Sequence, residues 1–339
     1  MKIKDINTRD KVLIIAEIGN NHEGSYSLAE DMIGLAEESG ADAVKFQTFQ
    51  TEHYLSADDK ERYKRLKSFE LTFNEFEKLS NIAKELGILF ISTPFDLESA
   101  LFLNSIVDAM KISSGDNTFY PLIESVAETG KPIIMSTGLV DIQQIMKSKT
   151  LIENIWAEKD IVQDLAILHC VSAYPVEAQY ANLRAIQSLR ESLDCTVGLS
   201  DHTIGTTSAI ASVALGARII EKHFTIDKHF SDFRDHQISC DPQDMKQLVQ
   251  SVREAEKMMG SGAKVAQLPE KDSSPLMRRS IVAKHSLSKG HLLKLGDITW
   301  VRPSGGLEPG EEHRIIGKRL SQSIEKGEKI IIKHIVDNK

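Results

Sequence analysis

Short runs of apolar residues recur through the first two thirds of the chain, and the stretches between them carry apolar residues at helical spacing. Uninterrupted runs of this length are typical of strands buried on both faces, and alternation with helices predicts a parallel sheet. Clear amphipathic helical patterns cover Ser27–Glu38, Asn74–Leu86 and Met245–Met259. The predicted strands are Val12–Ala16, Ala43–Phe46, Ile88–Ile91, Ala109–Ile112, Pro132–Met135, Leu165–Leu168, Thr196–Leu199 and Arg218–Ile220.

Eight strand–helix units favour one α/β architecture, the closed (β/α)8 or TIM barrel, which occupies roughly 250 residues. We expect this barrel to cover residues 1–262. An open, doubly wound parallel sheet is the alternative that the pattern alone leaves open.

The pattern changes after residue 262. The range 263–276 is polar, contains two prolines and is predicted to be a linker. The range 277–339 holds short β-like pieces (SIVA, ITWVR, KIIIKHI) between glycine turns, and predicts a small β-rich domain. Within it, Leu287–Ile298 and Ile324–Ile335 echo each other, each with Lys-Gly followed by an apolar run. So small a domain is expected to dock on the barrel or on a partner subunit.

Polar side chains stand where each apolar run ends. Because the carboxyl ends of parallel barrel strands meet at one face, we expect these side chains to form a functional site there. One polar residue at a strand end usually caps a backbone group, but burying them at every strand end is costly without a function. They are Glu17, Lys45, Gln47, Thr93, Lys111, Ser114, Ser136, His169, Ser200, Asp201, His202, Glu221 and His223.

Lys45 and Lys111 are cations within otherwise apolar strands. Together with the nearby hydroxyl groups they predict a cradle for a phosphate or a carboxylate. The alternative is that each lysine pairs with a carboxylate such as Glu17 or Glu221.

His202 and His223 lie one strand–helix repeat apart, at similar height on neighbouring strands. Such a pair is more often structural than metallic. With water or substrate oxygens as further ligands, however, the two imidazoles would form an open site that suits a Lewis acid such as manganese.

Composition excludes several classes of protein. Lys and Arg total 41 against 49 Asp and Glu, and this net charge of −8 offers no global attraction for nucleic acid or an anionic membrane. Three cysteines are too few and too scattered for a disulfide scaffold. The first residues do not resemble a signal peptide, and no apolar stretch approaches the length needed to span a bilayer. We therefore expect a cytoplasmic protein.

The strings at the strand ends match a known family. They are IIAEIGNNHEG (14–24), VKFQT (44–48), FISTPFD (90–96), MKISSGD (110–116), IIMSTG (133–138), LHCVSAYP (168–175), GLSDHT (198–203) and IEKHFTIDK (220–228). The chain resembles the sialic acid synthases, transferases that make nonulosonic acids by condensing phosphoenolpyruvate with an N-acylated hexosamine. Its C-terminal part resembles their antifreeze-like (SAF, β-clip) domain.

The resemblance implies a role for each matching residue. The residues implied to bind phosphoenolpyruvate are Lys45, Thr93, Lys111, Ser114, Ser136 and Ser200. Those implied to surround the sugar are Gln47, Asp116, Ser172, Tyr174, Glu221, Asp235 and Arg302, the last reaching across a domain-swapped homodimer. His202 and His223 are implied to hold manganese, with magnesium or cobalt as alternatives. The implied catalytic residues are Glu17, Lys45, Lys111 and His223.

Three positions depart from the N-acetylneuraminate enzymes of the family. Asp116 replaces a glutamate, Ser172 an asparagine and Phe46 a histidine, and all three are expected beside the sugar. The string RPSGGL also resembles the relatives that make pseudaminic and legionaminic acids. The acceptor is therefore expected to be N-acetylmannosamine or a 2,4-diacetamido-trideoxyhexose.

Three other functions compete with this one. Other phosphoenolpyruvate-condensing barrels make 3-deoxy sugar acids but lack the small second domain. A metal-dependent barrel hydrolase would normally show His-x-His on the first strand, where this chain has Ala16-Glu17-Ile18. A catalytically inactive sugar-binding relative would be expected to lose a lysine or a metal-binding histidine, and both pairs are present.

Overall fold

The computed structural model describes residues 1–336. The chain divides into two compact units, Met1–Gly260 and Ser261–Lys339. This division lies close to residue 262, where the sequence predicts the end of the barrel. Each unit is described by itself below.

Eight parallel strands of the described chain close into a barrel in the order β10-β3-β4-β5-β6-β7-β8-β9. The predicted TIM barrel is confirmed, and the open sheet is excluded because the last barrel strand pairs with the first. The strands of the first unit are β1 (Lys2–Ile3), β2 (Ile6–Asn7), β3 (Leu13–Gly19), β4 (Ala43–Thr48), β5 (Leu89–Pro94), β6 (Ala109–Ile112), β7 (Ile133–Ser136), β8 (Leu165–Cys170), β9 (Thr196–Asp201) and β10 (Ile219–His223).

Several strands extend past the predicted apolar runs into the polar residues that follow. β3 continues to Gly19 and β10 to His223. The parallel ladder holds these ends in register, since His223 pairs with Glu17 and Glu17 pairs with Lys45. The polar side chains therefore stand on rigid strands at the carboxyl end of the barrel.

Helices cover the outside of the barrel, and local sequence sets their ends. The helix before β5, α4 (Phe73–Leu86), for example, begins with a capping box between Thr72 and Glu75 and ends at Gly87, whose φ of +76° favours glycine. In the part of the chain that the structure describes, no helix is long and apolar enough to cross a membrane. The helices are α1 (Tyr26–Glu38), α2 (Thr51–Tyr54), α3 (Lys60–Phe69), α4 (Phe73–Leu86), α5 (Leu97–Leu103), α6 (Tyr120–Glu128), α7 (Ile142–Glu158), α8 (Ala185–Ser192), α9 (Thr207–Ala214), α10 (Arg234–Ile238) and α11 (Pro242–Met259).

Successive residues of each barrel strand enter different cores. In β3, Ile14 and Ala16 belong to the large core between the strands and the helices. Leu13 and Ile15 belong to a smaller core inside the barrel. Because side chains alternate along a strand, Glu17 shares the inward direction of Leu13 and Ile15. The same alternation places the site residues of the other strands.

A short N-terminal hairpin covers the amino end of the barrel. β1 and β2 pair antiparallel, and Met1 and Ile3 join the inner core beside residues that begin barrel strands, such as Leu13 and Ala43. The Met1 nitrogen also donates a hydrogen bond to Thr196 Oγ1 at 2.7 Å. The functional end of the barrel is thus the opposite, carboxyl end.

The second unit is a small β structure with its own core of buried aliphatic residues. Its 277–336 part follows α12 (Glu270–Met277), a short helix within the predicted linker that the polar sequence did not predict. β11 (Ser280–Ala283) pairs with β12 (Ile298–Val301), and β13 (Arg319–Leu320) pairs with β14 (Ile335–Val336), both antiparallel.

The two echoing segments of this unit have the same local structure. Gly290 and Gly327 both take left-handed φ values, +80° and +82°. Each turn leads into a 3-10 turn, Leu295–Asp297 or Ile332–His334, and then into a strand. The expected β-like piece KIIIKHI is therefore extended only at its ends, because the repeat places the 3-10 turn in its middle.

Candidate active site

A cavity of about 450 Å³ opens at the carboxyl end of the barrel. Every residue of the first unit to which the family resemblance assigns a substrate-binding, metal-binding or catalytic role lines this cavity. They are Glu17, Lys45, Gln47, Thr93, Lys111, Ser114, Asp116, Ser136, Ser172, Tyr174, Ser200, His202, Glu221, His223 and Asp235. Strands supply most of them, whereas Ser114, Asp116, Ser172, Tyr174, His202 and Asp235 come from the segments that follow strands.

Two buried lysines and two buried glutamates form the floor of the cavity. Lys45 Nζ lies 2.8 Å from Glu17 Oε2 and 3.7 Å from Glu221 Oε2, and it donates to Thr93 Oγ1 at 3.2 Å. The alternative interpretation, that a lysine pairs with a carboxylate, therefore holds for Lys45 when the cavity contains no ligand.

Lys111 has a different environment. It donates to Ser136 Oγ at 2.7 Å and to the Ile112 carbonyl at 3.2 Å, and its nearest carboxylate oxygen is Glu221 Oε1 at 3.8 Å. That oxygen instead accepts the Ser200 hydroxyl at 2.8 Å. Unlike Lys45, Lys111 thus has a hydroxyl group, and not a carboxylate, as its nearest side-chain partner.

The two glutamates differ in acidity. Burial raises the pKa of Glu17 and outweighs the opposing charge of Lys45, and the neighbouring Glu221 adds to the rise. Burial has the same tendency at Glu221, but Lys111 and Lys45 outweigh it and hold the pKa of Glu221 below its ordinary range. Glu17 is therefore the carboxyl group that takes up a proton more readily.

Burial also lowers the pKa of Lys111. The pKa of Lys45 is raised instead, because Glu17 and Glu221 together outweigh the effect of burial. An incoming anion that replaced the distant carboxylate contact of Lys111 would favour the charged form of this lysine.

Gly138 allows two serines to approach each other at the cavity wall. A Cβ atom on Gly138 would lie 2.2 Å from Ser172 Oγ and 2.9 Å from Ser114 Oγ, closer than side chains tolerate. The Gly138 amide also donates to Ser114 Oγ at 3.0 Å. Ser172 Oγ is buried and has no hydrogen-bond partner among residues 1–336, so a ligand could supply one.

The rings of His202 and His223 lie 5.3 Å apart. His202 Nδ1 donates to the Val171 carbonyl at 2.9 Å, which leaves Nε2 as the basic nitrogen of the neutral ring. His223 Nδ1 is buried without a partner in the described chain, and burial lowers the pKa of His223 well below its ordinary value. Both rings can therefore present a lone pair.

Acidic and aromatic side chains surround this histidine pair. Tyr174 packs on His202 with ring centres 4.2 Å apart, and the Arg234 guanidinium lies 4.5 Å from the centre of the Tyr174 ring. Arg234 Nε also donates to Asp235 Oδ1 at 3.4 Å. Burial raises the pKa of Asp235.

An amide chain continues from Glu17 toward the rim. Gln47 Nε2 donates to Glu17 Oε1 at 3.2 Å, and Asn20 Nδ2 donates to Gln47 Oε1 at 2.9 Å. Asn20 Oδ1 is buried and lacks a partner within the described residues. Asn20 itself lines the cavity.

Comparison with known proteins agrees with this geometry. The model of the NeuB family matches residues 32–264, more than half of the chain. The chain belongs to the NeuB family. The model of the SAF domain matches residues 278–336, so both parts of the predicted architecture are confirmed.

Individual members of the NeuB family are similar over nearly the full length. The N,N′-diacetyllegionaminic acid synthase of Legionella pneumophila is 39% identical over 95% of this chain and 94% of its own. The pseudaminic acid synthase of Campylobacter jejuni is 35% identical over 97% and 98%. The crystal structure of N-acetylneuraminic acid (sialic acid) synthetase from Leptospira borgpetersenii, 33% identical, superimposes with a TM-score of 0.75 over 80% of this chain and 94% of that one. The predicted class of enzyme, a sugar acid synthase, is confirmed.

Some residues of this NeuB-family chain lie elsewhere than expected. Phe46, expected beside the sugar, is fully buried in the outer core, where its ring stacks on Phe90 at 5.5 Å. Its position between the inward residues Lys45 and Gln47 directs it away from the cavity. The departure from histidine at Phe46 therefore cannot act by contact with the sugar.

Two polar residues at strand ends, His169 and Asp201, point away from the cavity as Phe46 does. His169 Nε2 hydrogen-bonds the Ala181 carbonyl at 2.9 Å and does not line the cavity. Asp201 forms an ion pair of 3.0 Å with Lys222, which is completely buried. Both belong to the packing around the barrel, so the expectation that every polar strand end joins the site was wrong for these residues.

Glu221 stands among different neighbours than expected. It was expected around the sugar, but it contacts Lys45, Lys111 and Ser200, all expected around phosphoenolpyruvate. The cause is the ladder, in which Glu221 pairs directly with Ser200.

Sequence reasoning missed several residues of the NeuB-family cavity. Asn20 and Arg234 line it. Asn20 lies within the string at 14–24, and Arg234 directly precedes the predicted site residue Asp235, so the sequence could have suggested both. Cys170 also lines it, with Sγ 3.8 Å from His202 Nδ1. Arg62 and Arg65 of α3 lie at the same cavity without any strand-end signal.

Arg302 belongs to the second unit, where it is exposed directly after β12. Its predicted role in a partner's site stays a prediction.

Proposed function

We propose that this protein condenses phosphoenolpyruvate with an N-acylated hexosamine, giving a nine-carbon 2-keto-3-deoxy sugar acid and phosphate. The observation that carries the proposal is a single cavity with two buried lysines, Lys45 and Lys111. The same cavity holds two imidazole rings, those of His202 and His223, that can present a lone pair. The hexosamine is N-acetylmannosamine or a 2,4-diacetamido-trideoxyhexose. The second choice is supported by the name of the Legionella relative, whose product carries two acetyl groups on nitrogen.

The phosphate and carboxylate of phosphoenolpyruvate would lie against the two lysines. Lys45 and Lys111 supply positive charge, and the remaining oxygens accept from hydroxyl groups at the same depth. Those hydroxyl groups belong to Thr93, Ser114, Ser136 and Ser200. Because Glu221 already contacts both lysines and Ser200, we place it at the border between this half and the sugar half.

The sugar would occupy the rim, with its aldehyde toward the histidines. Gln47, Asp235 and Tyr174 present hydrogen-bonding groups there, and Asp116 and Ser172 complete the wall. Asp116 accepts from Ser113 Oγ at 2.6 Å, and burial raises its pKa. The buried Ser172 hydroxyl is free to bond the substrate.

His202 and His223 would hold a divalent metal, for which manganese is our choice and magnesium or cobalt the alternatives. Two imidazoles with available nitrogens fit an open site that water or substrate completes. Among residues 1–336, no group of three or more His, Cys, Asp and Glu side chains is arranged to hold a metal, so water or substrate oxygens would complete the ligand set of the pair. When bound, the metal supplies Lewis acidity for the sugar aldehyde.

The protein residues carry the remaining steps. The methylene carbon of phosphoenolpyruvate forms a bond to the aldehyde carbon, whose oxygen gains a proton and becomes a hydroxyl group. Glu17 stabilises the positive charge that develops on the former enol carbon. Water adds at that carbon and loses one proton. The carbon–oxygen bond to phosphate then breaks as the new hydroxyl group gives up its second proton, which the phosphate takes, and the keto group remains. Lys45 and Lys111 balance the charge of the departing phosphate.

The functional unit is proposed to be a domain-swapped homodimer in which Arg302 of one chain reaches the sugar's acyl group in the other. The family resemblance supports this assembly, and the location in the cytoplasm stays a prediction from the sequence.

The test is release of inorganic phosphate from phosphoenolpyruvate, with manganese, across a panel of N-acylated hexosamines. Chelator treatment should abolish release, and manganese should restore it. His202→Ala and His223→Ala should be inactive but folded, whereas the exposed control His229→Ala should keep full activity. Full activity in a metal-free sample would refute the metal assignment.

The same panel separates the competing functions. Release only with non-acylated aldose phosphates would indicate another 3-deoxy sugar acid synthase. Binding of a hexosamine without release of phosphate would indicate an inactive relative.

A further inference from the structure

The loop after β3 contacts a segment far away in the sequence that forms part of the cavity rim. We call residues 20–25 the β3–α1 loop and residues 224–241 the α10 segment. The α10 segment carries Arg234 and Asp235, and both line the cavity. The helix within this segment, α10, is only five residues long. The segment therefore depends on contacts with other parts of the chain to keep its position.

Glu23 of the β3–α1 loop is the centre of one set of contacts. Its Oε1 lies 3.1 Å from Nε2 of His236, a completely buried side chain. The same carboxylate oxygen accepts the Ser231 hydroxyl, and Ser231 Oγ in turn accepts the Phe233 amide at 3.0 Å. His236 Nδ1 hydrogen-bonds Thr225 Oγ1 at 2.6 Å. One carboxylate thus joins both sides of Asp235.

Asn21 forms a second set of contacts with the same segment. Its buried amide donates to the Phe224 carbonyl at 2.8 Å and to Ser239 Oγ at 3.0 Å. The Ser239 hydroxyl donates to the Asp235 carbonyl at 2.6 Å. A chain of two hydrogen bonds therefore links Asn21 to the backbone of the rim residue itself.

The backbone of the β3–α1 loop is itself held in an unusual conformation. Glu23 has a φ of +47°, which is uncommon for a residue with a side chain and indicates a constraint. A Cβ atom on the next residue, Gly24, would lie 2.1 Å from the Ser68 carbonyl. Close packing against the end of α3 therefore fixes the direction in which Glu23 points.

We propose that Asn21 and Glu23 are positioning residues that hold the α10 segment, and with it Asp235 and Arg234, in place for the hexosamine. Neither residue lines the cavity. They act through His236, Ser231 and Ser239. The inference rests on the proposed function, because only there is Asp235 a sugar contact.

The test combines a structural readout with kinetics on the full-length protein. Glu23→Asn tolerates the positive φ but is too short to reach His236, whereas Glu23→Gln keeps the length and one acceptor oxygen. Ser239→Ala breaks the link from Asn21 without changing any charge. The matched control is Glu38→Gln, an exposed glutamate at the end of α1.

Hydrogen–deuterium exchange should become faster in residues 224–241 of Glu23→Asn and Ser239→Ala, and should stay unchanged in Glu38→Gln. In the phosphate-release assay, the KM for the hexosamine should rise about tenfold in Glu23→Asn, as expected for a lost charged hydrogen bond. The KM for phosphoenolpyruvate should change less than about twofold. Glu23→Gln should restore part of the affinity.

The outcomes separate this inference from the proposed function. Unchanged exchange in both Glu23→Asn and Ser239→Ala would overturn the positioning role, whatever the enzyme does. Faster exchange with unaltered hexosamine KM would overturn the link to the sugar. If Glu23→Asn does not fold, Ser239→Ala decides by the same two measurements. Failure of the unsubstituted protein to release phosphate would count against the proposed function only, since exchange still tests the contacts.

Discussion

Lys45 and Lys111 lie in the same cavity, but their nearest partners carry different charges. Glu17 lies 2.8 Å from Lys45, whereas Lys111 is bonded first to the Ser136 hydroxyl and the Ile112 carbonyl. A lysine without a close carboxylate has more attraction left for an incoming dianion. The structure thus separates two residues that the sequence treats as equivalent.

Lys111→Met should therefore weaken phosphoenolpyruvate binding by tenfold or more. Loss of a charged hydrogen bond in a buried site costs about 1.5–3 kcal/mol, and methionine keeps the volume. The KM for phosphoenolpyruvate, measured at saturating hexosamine, is the readout, and the exposed Lys147→Met is the control. An equal loss of affinity for both substrates would show that Lys111 is structural.

His22 predicts a pH dependence of stability. Burial lowers its pKa from 6.5 to about 4, so unfolding allows the ring to take up a proton. Because the pKa of His22 is lower in the folded state, the free energy of unfolding has its full value above pH 6.5 and decreases as the pH falls toward 4. The loss amounts to about 3 kcal/mol on this basis.

Urea unfolding of the chain at pH 7 and pH 4.5 measures this effect. His22→Gln should reduce the difference in unfolding free energy between the two pH values, whereas His53→Gln, at a half-exposed histidine, should leave it unchanged. The same pH difference in His22→Gln as in the unsubstituted protein would contradict the prediction.

At the scale of strands and helices, apolar runs were enough to predict the barrel. The eight runs all became barrel strands, because strands buried on both faces need continuous apolar sequence. The inward or outward direction of a polar strand end was available from residue parity as well. Counting from Leu13 directs Glu17 inward, whereas counting from Lys45 directs Phe46 outward.

Contacts between distant segments could not be predicted in this way. The bonds from Asn21 and Glu23 to the α10 segment depend on the closure of the barrel, which makes β3 and β10 neighbours. The N-terminal hairpin likewise has strands of only two residues, too short for any pattern. Such features follow from tertiary structure and leave no periodic signal.

Gly198 shows how closely two barrel strands approach. A Cβ atom on this residue of β9 would lie 2.4 Å from the Ile219 carbonyl and 2.7 Å from Leu168 Cδ2. Gly198→Ala should therefore destabilise the barrel by about 1–3 kcal/mol, as overpacking does.

Gly34→Ala is the matched control, because its Cβ would meet no atom within 4 Å. Alanine at this position of α1 should stabilise the helix by up to about 1 kcal/mol. Urea unfolding should thus move in opposite directions for the two variants. A Gly198→Ala barrel as stable as the unsubstituted one would show that the strands can move apart at little cost.

At the scale of the whole molecule, the chain consists of a barrel, which carries the polar groups of the cavity, and a second unit with its own core. We propose that the cavity residues of the first unit bind both substrates except for the acyl group of the hexosamine. Arg302, exposed on the second unit, is the residue proposed to bind that group. Whether one chain alone contains a complete site therefore depends on how two chains assemble.

Mixing two impaired variants, assayed well below the KM values of both substrates, tests the proposed domain swap. Arg302→Ala should lose hexosamine affinity, and Lys111→Met should lose phosphoenolpyruvate affinity. In a swapped heterodimer, the barrel with an intact Lys111 receives the intact Arg302 of its partner, while both defects fall in the other site. Co-expression with two different tags and purification of the heterodimer should therefore restore about half of the normal activity per dimer. Each homodimer, carried through the same purification and assayed at the same substrate concentrations, should keep about a tenth of normal activity or less. If Arg302 instead serves its own chain, every site of the heterodimer keeps one defect, and a verified heterodimer would show no restored activity.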